Sequence, residues 1–365
     1  MKVKDILNAI NNFAPRTYQE TWDNTGLLVG DKDMEAKGAL ITLDITEDVI
    51  EEALSKGINL IVAHHPLIFK GLKSITNSHW TERCVIKAIK NDIAIIAAHT
   101  NIDAIKGGVS YRMAEKLGLK NIKTLGTSDA KLFKISVFVP NTHAEQVRDS
   151  MFEAGAGHIG NYDCCSYNTE GIGTFRANEE AKPFVGKQGE LHNENEIKIE
   201  VLVPEHLCNN TVSAMLSSHP YEEVAYDIYL LNNINPNVGL GVVGELEKEI
   251  TEVDFLTSLK GTFECVAIKH TNLLGKKIKK VALCGGAGSF LLPTAIGKDA
   301  DIYVSGDFKY HDFFEADNKI VIADIGHYES EQYTKEIMYE IVTRNFPNFA
   351  VHIAETVTNP AQTFV

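Results

Sequence analysis

The most informative stretch of the sequence is NLIVAHHP, residues 59–66, an apolar run that ends in two adjacent histidines and a proline. The run at 59–63 is too short for a helix, and its unbroken hydrophobicity is typical of a strand buried on both faces. Two similar runs flank it, at residues 38–44 and 93–98, with helical patterns between them. This βαβαβ order predicts a mainly parallel sheet with crossover helices.

The pattern changes near residue 128. Residues 133–139 and 198–203 are both apolar strands followed by a proline and a helical segment, and the two passages are similar to each other. A repeated β–α unit with extra strands between its copies predicts a ferredoxin-like α+β domain. After a turn-rich run at residues 232–237, the alternation of strands and helices seen in the N-terminal part returns.

We therefore predict an α/β fold in which one domain is interrupted by another. The split α/β domain consists of residues 1–127 and 238–365 and carries the mainly parallel sheet. The inserted ferredoxin-like α+β domain spans residues 128–237. Because the ends of an inserted domain usually lie close together, the parent domain needs little rearrangement to accept it.

Composition and charge limit the class of protein. The 365 residues are 44% hydrophobic, and no run approaches the roughly 18 apolar residues that a membrane helix needs. The N-terminus lacks the apolar core of a signal peptide, and six cysteines in so long a chain do not make a disulfide framework. We therefore expect a cytoplasmic protein without membrane contact. The net charge of −14 argues against a nucleic-acid partner.

Imidazole and carboxylate groups follow three of the predicted strands. Two histidines end the strand at 59–63, the motif HTNID (99–103) follows the next strand, and the motif DIGH (324–327) ends the strand at 319–323. In an open α/β sheet, ligands bind beyond the carboxyl ends of the strands. We therefore predict a two-metal site with the ligands His64, His65, Asp103, His327 and Glu331, the last one helical turn after His327.

The ligand types indicate which ions the site would prefer. Imidazole mixed with carboxylate suits Zn first, with Fe, Mn or Ni as alternatives, better than Ca or Mg. Each motif alone has a simpler interpretation: HHP as a polar strand end, Asp103 as a helix cap, and His327 with Glu331 as an exposed pair. The metal interpretation depends on all of them lying at carboxyl ends of strands.

Several neighbouring residues leave alternatives open. His99 is the candidate catalytic residue, as a proton shuttle, but it equally fits a structural hydrogen bond at the strand end. Asp44 fits either support of a metal ligand or a helix N-cap. The glycine-rich run at 285–289 fits a phosphate cradle or a common turn. Lys309 and His311 fit either the wall of a cavity or a surface turn.

Six motifs resemble the Nif-three-like family, whose members are commonly labelled GTP cyclohydrolase I type 2 homologues. The motifs agree with the family in order and spacing across both halves of the split domain. The insert resembles the version found in many Gram-positive bacteria, which is similar to the trimeric CutA and PII-like proteins. The motifs are WDNTGLLVG (22–30), AHHPLIF (63–69), HTNIDA (99–104), GVS (108–110), SGDFKYHD (305–312) and GHYESE (326–331).

The resemblance implies a site, an assembly and a reaction. The site is dinuclear, with the same five ligands and with Glu331 or Asp103 bridging two divalent ions, and the assembly is a toroidal homohexamer. The implied reaction is metal-dependent hydrolysis of a nucleotide-like or phosphorylated small molecule, such as hydrolytic opening of the guanine imidazole ring. The alternative is a non-enzymatic regulatory or metal-delivery protein that uses the insert for sensing or partner binding.

Overall fold

The chain folds into two compact units in the computed structural model, which describes residues 1–364. The split unit comprises Met1–Ser128 and the chain from Pro236 onward, and the insert is Asp129–Asn235. All six cysteines are free thiols. No helix within the described part of the chain is long and apolar enough to cross a membrane.

The first half of the split unit alternates short strands with helices. Helix α2, for example, begins where the Thr46 hydroxyl accepts a hydrogen bond from the N–H of Val49, a standard N-terminal cap. The helices are α1 (Val3–Phe13), α2 (Glu47–Ser55), α3 (Trp80–Lys90), α4 (Thr100–Asp103) and α5 (Val109–Lys116). The strands are β1 (Gly26–Val29), β2 (Ala39–Thr42), β3 (Leu60–Ala63), β4 (Ala94–Ala97) and β5 (Lys120–Thr124).

The insert has the βαββαβ order of a ferredoxin-like fold, in agreement with the prediction. Its elements are β6 (Leu132–Pro140), α6 (Ala144–Glu153), β7 (Ser166–Arg176), β8 (Leu191–Pro204), α7 (Cys208–Ser218) and β9 (Tyr226–Leu231). The four strands are antiparallel in the spatial order β7-β8-β6-β9. Alternate residues of β6 and β8, such as Val137 and Ile199, face a core shared with Val147 of α6 and Met215 of α7.

The second half of the split unit contributes strands to two sheets. Its strands are β10 (Val242–Thr251), β11 (Lys269–His270), β12 (Lys277–Ala287), β13 (Ile302–Gly306), β14 (Val321–Asp324) and β15 (Val351–Ile353). Its helices are α8 (Glu252–Thr262), α9 (Leu292–Gly297), α10 (His327–Glu331) and α11 (Thr334–Asn345).

The first sheet has the order β1-β4-β3-β2-β15. Strands β4, β3, β2 and β15 run parallel, and β1 pairs with β4 in the antiparallel direction. Every residue of β2, β3 and β4 is buried, as continuous apolar runs predict for strands covered on both faces. Helices α1 and α11 share one of the cores against this sheet.

The second sheet corrects the expectation of a single, mainly parallel sheet in the split unit. Its order is β11-β14-β13-β12-β10-β5, and only β12, β13 and β14 run parallel to one another. Strands β10, β5 and β11 join antiparallel. The sequence did not indicate β5 and β10 because they mix exposed with buried residues and lack the unbroken apolar runs of parallel strands.

Candidate metal centre

The five predicted metal ligands come together within the split unit. His64 and His65 directly follow β3, the short helix α4 after β4 carries Asp103, and helix α10 after β14 carries the other two. Strands β3 and β4 belong to the first sheet, whereas β14 belongs to the second. The sequence suggested a site along the edge of one sheet. The structure instead forms it where carboxyl ends of strands from two sheets meet.

The Glu331 carboxylate lies at the centre of the cluster. Its Oε2 is 2.9 Å from Nε2 of His65, 3.0 Å from Nε2 of His327 and 3.7 Å from Nε2 of His64. The Asp103 Oδ1 is 3.7 Å from the same nitrogen of His64. Ligand atoms around one tetrahedral zinc ion are about 3.4 Å apart when each bond is about 2.1 Å, so these spacings suit coordination.

Three overlapping triplets of ligand atoms lie within 4.8 Å of one another. Two of them share the Glu331 carboxylate, so this one group belongs to more than one possible ligand set. The triplets are His64–His65–His99, His65–His327–Glu331 and His64–Asp103–Glu331.

Two buried polar atoms at the site have no hydrogen-bond partner among residues 1–364. They are Nε2 of His64, whose side chain is fully buried, and Oδ1 of Asp103. Buried polar atoms are almost always paired, because an unpaired one costs about 1–3 kcal/mol. Both atoms are good ligands for a divalent ion and face the same place, so the residues present fit a metal.

Each histidine ring is held through its other nitrogen. Nδ1 of His65 lies 2.6 Å from Asp44 Oδ1, and Nδ1 of His327 lies 2.8 Å from Asp307 Oδ2. Nδ1 of His64 donates to the carbonyl oxygen of Ala98 at 2.8 Å. Acceptors in these places keep the proton on Nδ1 and leave Nε2 for a metal, the usual arrangement around ligating histidines. Asp44 thus supports a metal ligand rather than capping α2.

Burial and neighbouring charges shift the pKa values of the fully buried groups in different directions. Burial raises the pKa of Asp103, and the nearby Glu331 carboxylate raises it further. Burial opposes ionisation of Glu331 as well, but hydrogen bonds with His327 and His65 hold its pKa well below the usual range. Burial lowers the pKa of His64, so this ring is neutral, as metal coordination requires.

His65 and His327 shift in the opposite direction. Burial alone would lower the pKa of His65, but hydrogen bonds with Asp44 and Glu331 raise it to about 10. In His327, Glu331 and Asp307 overcome burial in the same way and raise the pKa to about 9. An ion that takes these two nitrogens displaces protons from them, so metal binding at neutral pH releases protons.

His99 lies beside the cluster, with its ring centre 5.3 Å from that of His64 and 5.5 Å from that of His65. Its Nδ1 lies 2.8 Å from Asp23 Oδ1. Burial opposes ionisation of Asp23, yet hydrogen bonds from His99 and Thr100 lower its pKa to about 2. Asp23 is therefore a carboxylate at neutral pH, and Nδ1 of His99 donates to it. The remaining nitrogen of His99 is available for proton exchange or coordination.

The glycine-rich run at the end of β12 makes room for the ligands and does not provide a phosphate cradle. The N–H groups of Gly285, Gly286 and Gly288 donate to serine hydroxyls, so they are not free for an anion. Gly286 has φ +62°, and a Cβ there would collide with Oε1 of Glu331. The run therefore needs glycine because the Glu331 carboxylate approaches the backbone closely.

The motif SGDFKYHD contributes a residue that the sequence did not single out. Lys309 and His311 lie in an exposed turn, and neither contacts the metal cluster. Asp307 of the same motif holds His327 instead. Asp23, in the motif WDN, was overlooked in the same way. A carboxylate beside a conspicuous aromatic or basic residue is the only local signal that either position offers.

A cavity of about 790 Å³ opens onto the cluster. His65, His99, Asp103, His327 and Glu331 form part of its wall, and the aromatic side chains of Trp22, Phe69 and Phe290 form another part. All three aromatic side chains are about half exposed. The cavity is large enough for a drug-sized or nucleotide-sized ligand, and it combines flat apolar walls with a few polar groups.

Comparison with known proteins gives matches along almost the whole chain. The family model described as Duf34/NIF3 (NGG1p interacting factor 3) matches residues 1–360. A Halalkalibacterium halodurans protein named GTP cyclohydrolase 1 type 2 homolog is 44% identical over 307 residues, covering 84% of this chain and 82% of that protein. A Bacillus subtilis protein of the same name is 39% identical over 367 residues, covering 98% and 97%.

A solved structure gives the same result. The Bacillus cereus protein related to NIF3 is 38% identical and has a TM-score of 0.90, with 100% of this chain and 99% of that chain covered. The similarity therefore extends through the insert as well as both halves of the split unit. The motif resemblance to the Nif-three-like family is confirmed, and the chain belongs to the Duf34/NIF3 (NGG1p interacting factor 3) family.

Proposed function

We propose that this protein is a metal-dependent hydrolase that acts on a nucleotide-like or phosphorylated small molecule. The observation that carries the proposal is the pair of buried, unpartnered ligand atoms, His64 Nε2 and Asp103 Oδ1, facing the Glu331 carboxylate. The name that the Halalkalibacterium halodurans and Bacillus subtilis relatives carry, GTP cyclohydrolase 1 type 2 homolog, favours hydrolytic ring opening of a purine nucleotide as the reaction.

Two divalent ions are the proposed cofactor, Zn first, with Fe, Mn or Ni as alternatives. His65 and His327 would hold one ion, His64 and Asp103 the other, and Glu331 would lie between them. Bound there, the ions would supply a nucleophile from water at neutral pH and a clamp for phosphate oxygens. The three aspartate and carbonyl acceptors behind the histidines keep the ligating nitrogens aimed at the same point.

His99 is the proposed proton shuttle. The Asp23 carboxylate accepts from Nδ1, so the neutral ring has its lone pair on the other nitrogen, and the ring lies beside those of His64 and His65. A base in this position takes a proton from the attacking water and passes one to the leaving group. Asp23 also stabilises the charged ring that forms meanwhile, because its own pKa of about 2 keeps it ionised.

The aromatic wall of the cavity supports a flat, heterocyclic substrate. Trp22 and Phe69 pack against each other with ring centres 5.6 Å apart, and Trp22 reaches to within 6.1 Å of the His99 ring. A nucleobase that stacks on these rings would have its reactive edge beside His99 and the carboxylates. Stacking of a base on an aromatic side chain contributes about 1–3 kcal/mol of binding.

A turnover assay tests the proposal. We expect the zinc-loaded protein to hydrolyse GTP or another purine nucleotide, and His99→Gln to lower kcat about 10²–10⁴-fold while metal content is unchanged. His64→Ala should lose both metal and turnover. His311→Ala is the matched control, since His311 is exposed and outside the cluster, and it should behave as wild type.

One further result would decide against the hydrolase. Stoichiometric metal without any turnover above that of His64→Ala would overturn the hydrolase and favour the alternative, a regulatory or metal-delivery protein.

We also propose, from the family resemblance, that the chain forms a toroidal homohexamer. Native mass spectrometry should then give six times the 40.3 kDa of one chain, and a smaller species would contradict that assembly.

A further inference from the structure

The insert contains a cavity of its own, of about 600 Å³. Glu196 and Lys198 of β8 line it, and they alternate with Ile197 and Ile199, which face α6 and α7. The cavity therefore lies on the sheet face that the helices leave uncovered. Most of its lining is apolar, and the aromatic members of that lining are Phe138, Phe175, Phe184 and Tyr221.

Glu196 places a buried carboxyl group in the wall of this cavity. The residue is only 8% exposed. Its Oε1 accepts a hydrogen bond from the Tyr221 hydroxyl at 3.1 Å, whereas Oε2 has no hydrogen-bond partner in the described chain, residues 1–364. Burial, followed by the Glu196 charge, raises the pKa of Tyr221, so the hydroxyl remains a donor to the carboxylate. A mostly buried carboxylate with one oxygen unpaired favours a donor or a cation beside that oxygen.

Two glycines of strand β7 lie beside the Glu196 carboxylate, which extends across this strand. Gly171 is the direct neighbour of Glu196 in the ladder, and a Cβ on Gly171 would meet nothing within 4 Å. A Cβ on Gly173 would collide with Oε2 of Glu196. Glycine inside a strand weakens it and marks a place where another group approaches the backbone. Gly173 therefore leaves the room that the Glu196 carboxylate occupies, and the space beside Gly171 is open.

The charges around the cavity indicate the charge of the ligand that it would bind. Four glutamates line it, at positions 170, 196, 222 and 223. Lys198 is the one lining cation among the described residues, and its Nζ lies 3.2 Å from Glu200 Oε1, so its charge is already paired. Negative potential over aromatic walls repels phosphates and carboxylates and attracts cations, which also interact with the ring faces.

We propose that the insert binds a small organic cation, an ammonium group on an aromatic or aliphatic body, with its nitrogen on Oε2 of Glu196. The apolar body lies against the aromatic walls, and the ammonium group completes the hydrogen bonding of the buried carboxylate. This site is separate from the metal cluster, since all of its residues belong to the insert. It gives the insert a ligand chemistry of its own.

Isothermal titration of the full-length protein with phenethylammonium chloride tests the proposal. Wild type should bind the cation and should not bind 3-phenylpropanoate, an anion of nearly the same shape. Glu196→Gln keeps the shape and removes the charge, and it should weaken binding of the cation roughly tenfold or more. Glu153→Gln, the same change at an exposed residue of α6, on the helix-covered side of the sheet and outside the cavity lining, should leave binding as in wild type.

Two outcomes would overturn the proposal. One is wild-type protein that binds neither probe or binds both equally, a result that does not depend on any variant folding. The other is a Glu196→Gln variant that has a wild-type circular dichroism spectrum and metal content and still binds the cation as wild type does. Gly173→Ala provides a second variant, because its methyl group displaces the carboxylate, and it should weaken binding in the same direction.

Discussion

At the scale of single residues, the candidate metal centre depends on hydrogen bonds from behind its ligands. Asp44 illustrates this: one carboxylate oxygen holds Nδ1 of His65 at 2.6 Å, and the other accepts from the Thr358 hydroxyl at 2.7 Å. The His65 ring is thereby fixed between Asp44 and Glu331. A ligand ring that cannot rotate loses less entropy when it binds an ion.

We predict that Asp44→Asn weakens metal binding about 10–100-fold, because the amide supports the His65 ring without the negative charge that makes it a better ligand. Competition with a chromophoric zinc chelator measures this change in affinity. Asp48→Asn is the control, since Asp48 is exposed in the first turn of α2. Equal zinc affinity in Asp44→Asn and Asp48→Asn would show that Asp44 does not support the site.

The residue scale also shows where sequence reasoning succeeds and where it stops. His64 and the other proposed ligands could be located because unbroken apolar runs mark the ends of the strands before them. Asp23 and Asp307 could not, because their roles arise only in three dimensions: Asp23 meets a histidine 76 positions away and Asp307 meets one 20 positions away. The neighbouring aromatic or basic residue in each motif is too weak a signal to distinguish these carboxylates from solvated ones.

At the scale of elements, the segment after β15 connects the C-terminal end of the described chain to the metal centre. Glu52 of α2 accepts hydrogen bonds from the N–H groups of Glu355 and Thr356 and from the Thr356 hydroxyl. Two residues later, Thr358 reaches Asp44. One carboxylate on α2 thus anchors the segment that in turn supports a metal-ligand contact.

We predict that this segment is released in acid. Burial opposes ionisation of Glu52, but its hydrogen bonds to Thr356 and Glu355 lower its pKa below the ordinary 4.5. Because the folded pKa is lowered, the stabilisation is complete above about pH 4.5 and is lost as the pH falls through the folded value. Hydrogen exchange at Glu355 and Thr356, corrected for intrinsic rates, should therefore accelerate below about pH 4.5.

Glu52→Gln isolates the cause of that release. The amide side chain is uncharged at every pH of the experiment and is a weaker acceptor than a carboxylate. Exchange at Glu355 and Thr356 should therefore be faster than in wild type at pH 7, and it should change little on acidification. Glu51→Gln is the matched control, because Glu51 is exposed and pairs with Lys87 instead. Protection at pH 7 that is the same in Glu52→Gln and Glu51→Gln would exclude Glu52 as the anchor.

The elements themselves were predictable in proportion to their burial. Strands β2, β3, β4 and β14 are buried at every position, and their apolar runs identify them directly. Strand β5 is mostly exposed, and its pairing with β10 joins residues on either side of the whole insert. Such pairing follows from tertiary structure rather than from local pattern, which is why the second sheet was missed.

At the scale of the whole molecule, the insert leaves and re-enters the split unit at neighbouring points. The N–H of Gly126 donates to the carbonyl of Leu240 at 2.9 Å, and the Ser128 hydroxyl donates to the carbonyl of Val238 at 3.3 Å. Strand β5 before the insert pairs with β10 after it. The two strands form a ladder that a short turn could close as well as a whole domain does.

We predict that replacing residues 129–235 with a short glycine–serine linker leaves the split unit folded and able to bind metal. All five proposed ligands and their supporting aspartates lie within the split unit, so elemental analysis should give the same metal content per chain as in the full-length protein. Thermal unfolding should remain a single cooperative transition that metal shifts upward, because an ion that binds only the folded state stabilises it. The same deletion carrying His64→Ala should lose that upward shift, which would show that the ion stabilises through the cluster. Metal loss from the deletion variant alone would mean that the insert is needed to assemble the site.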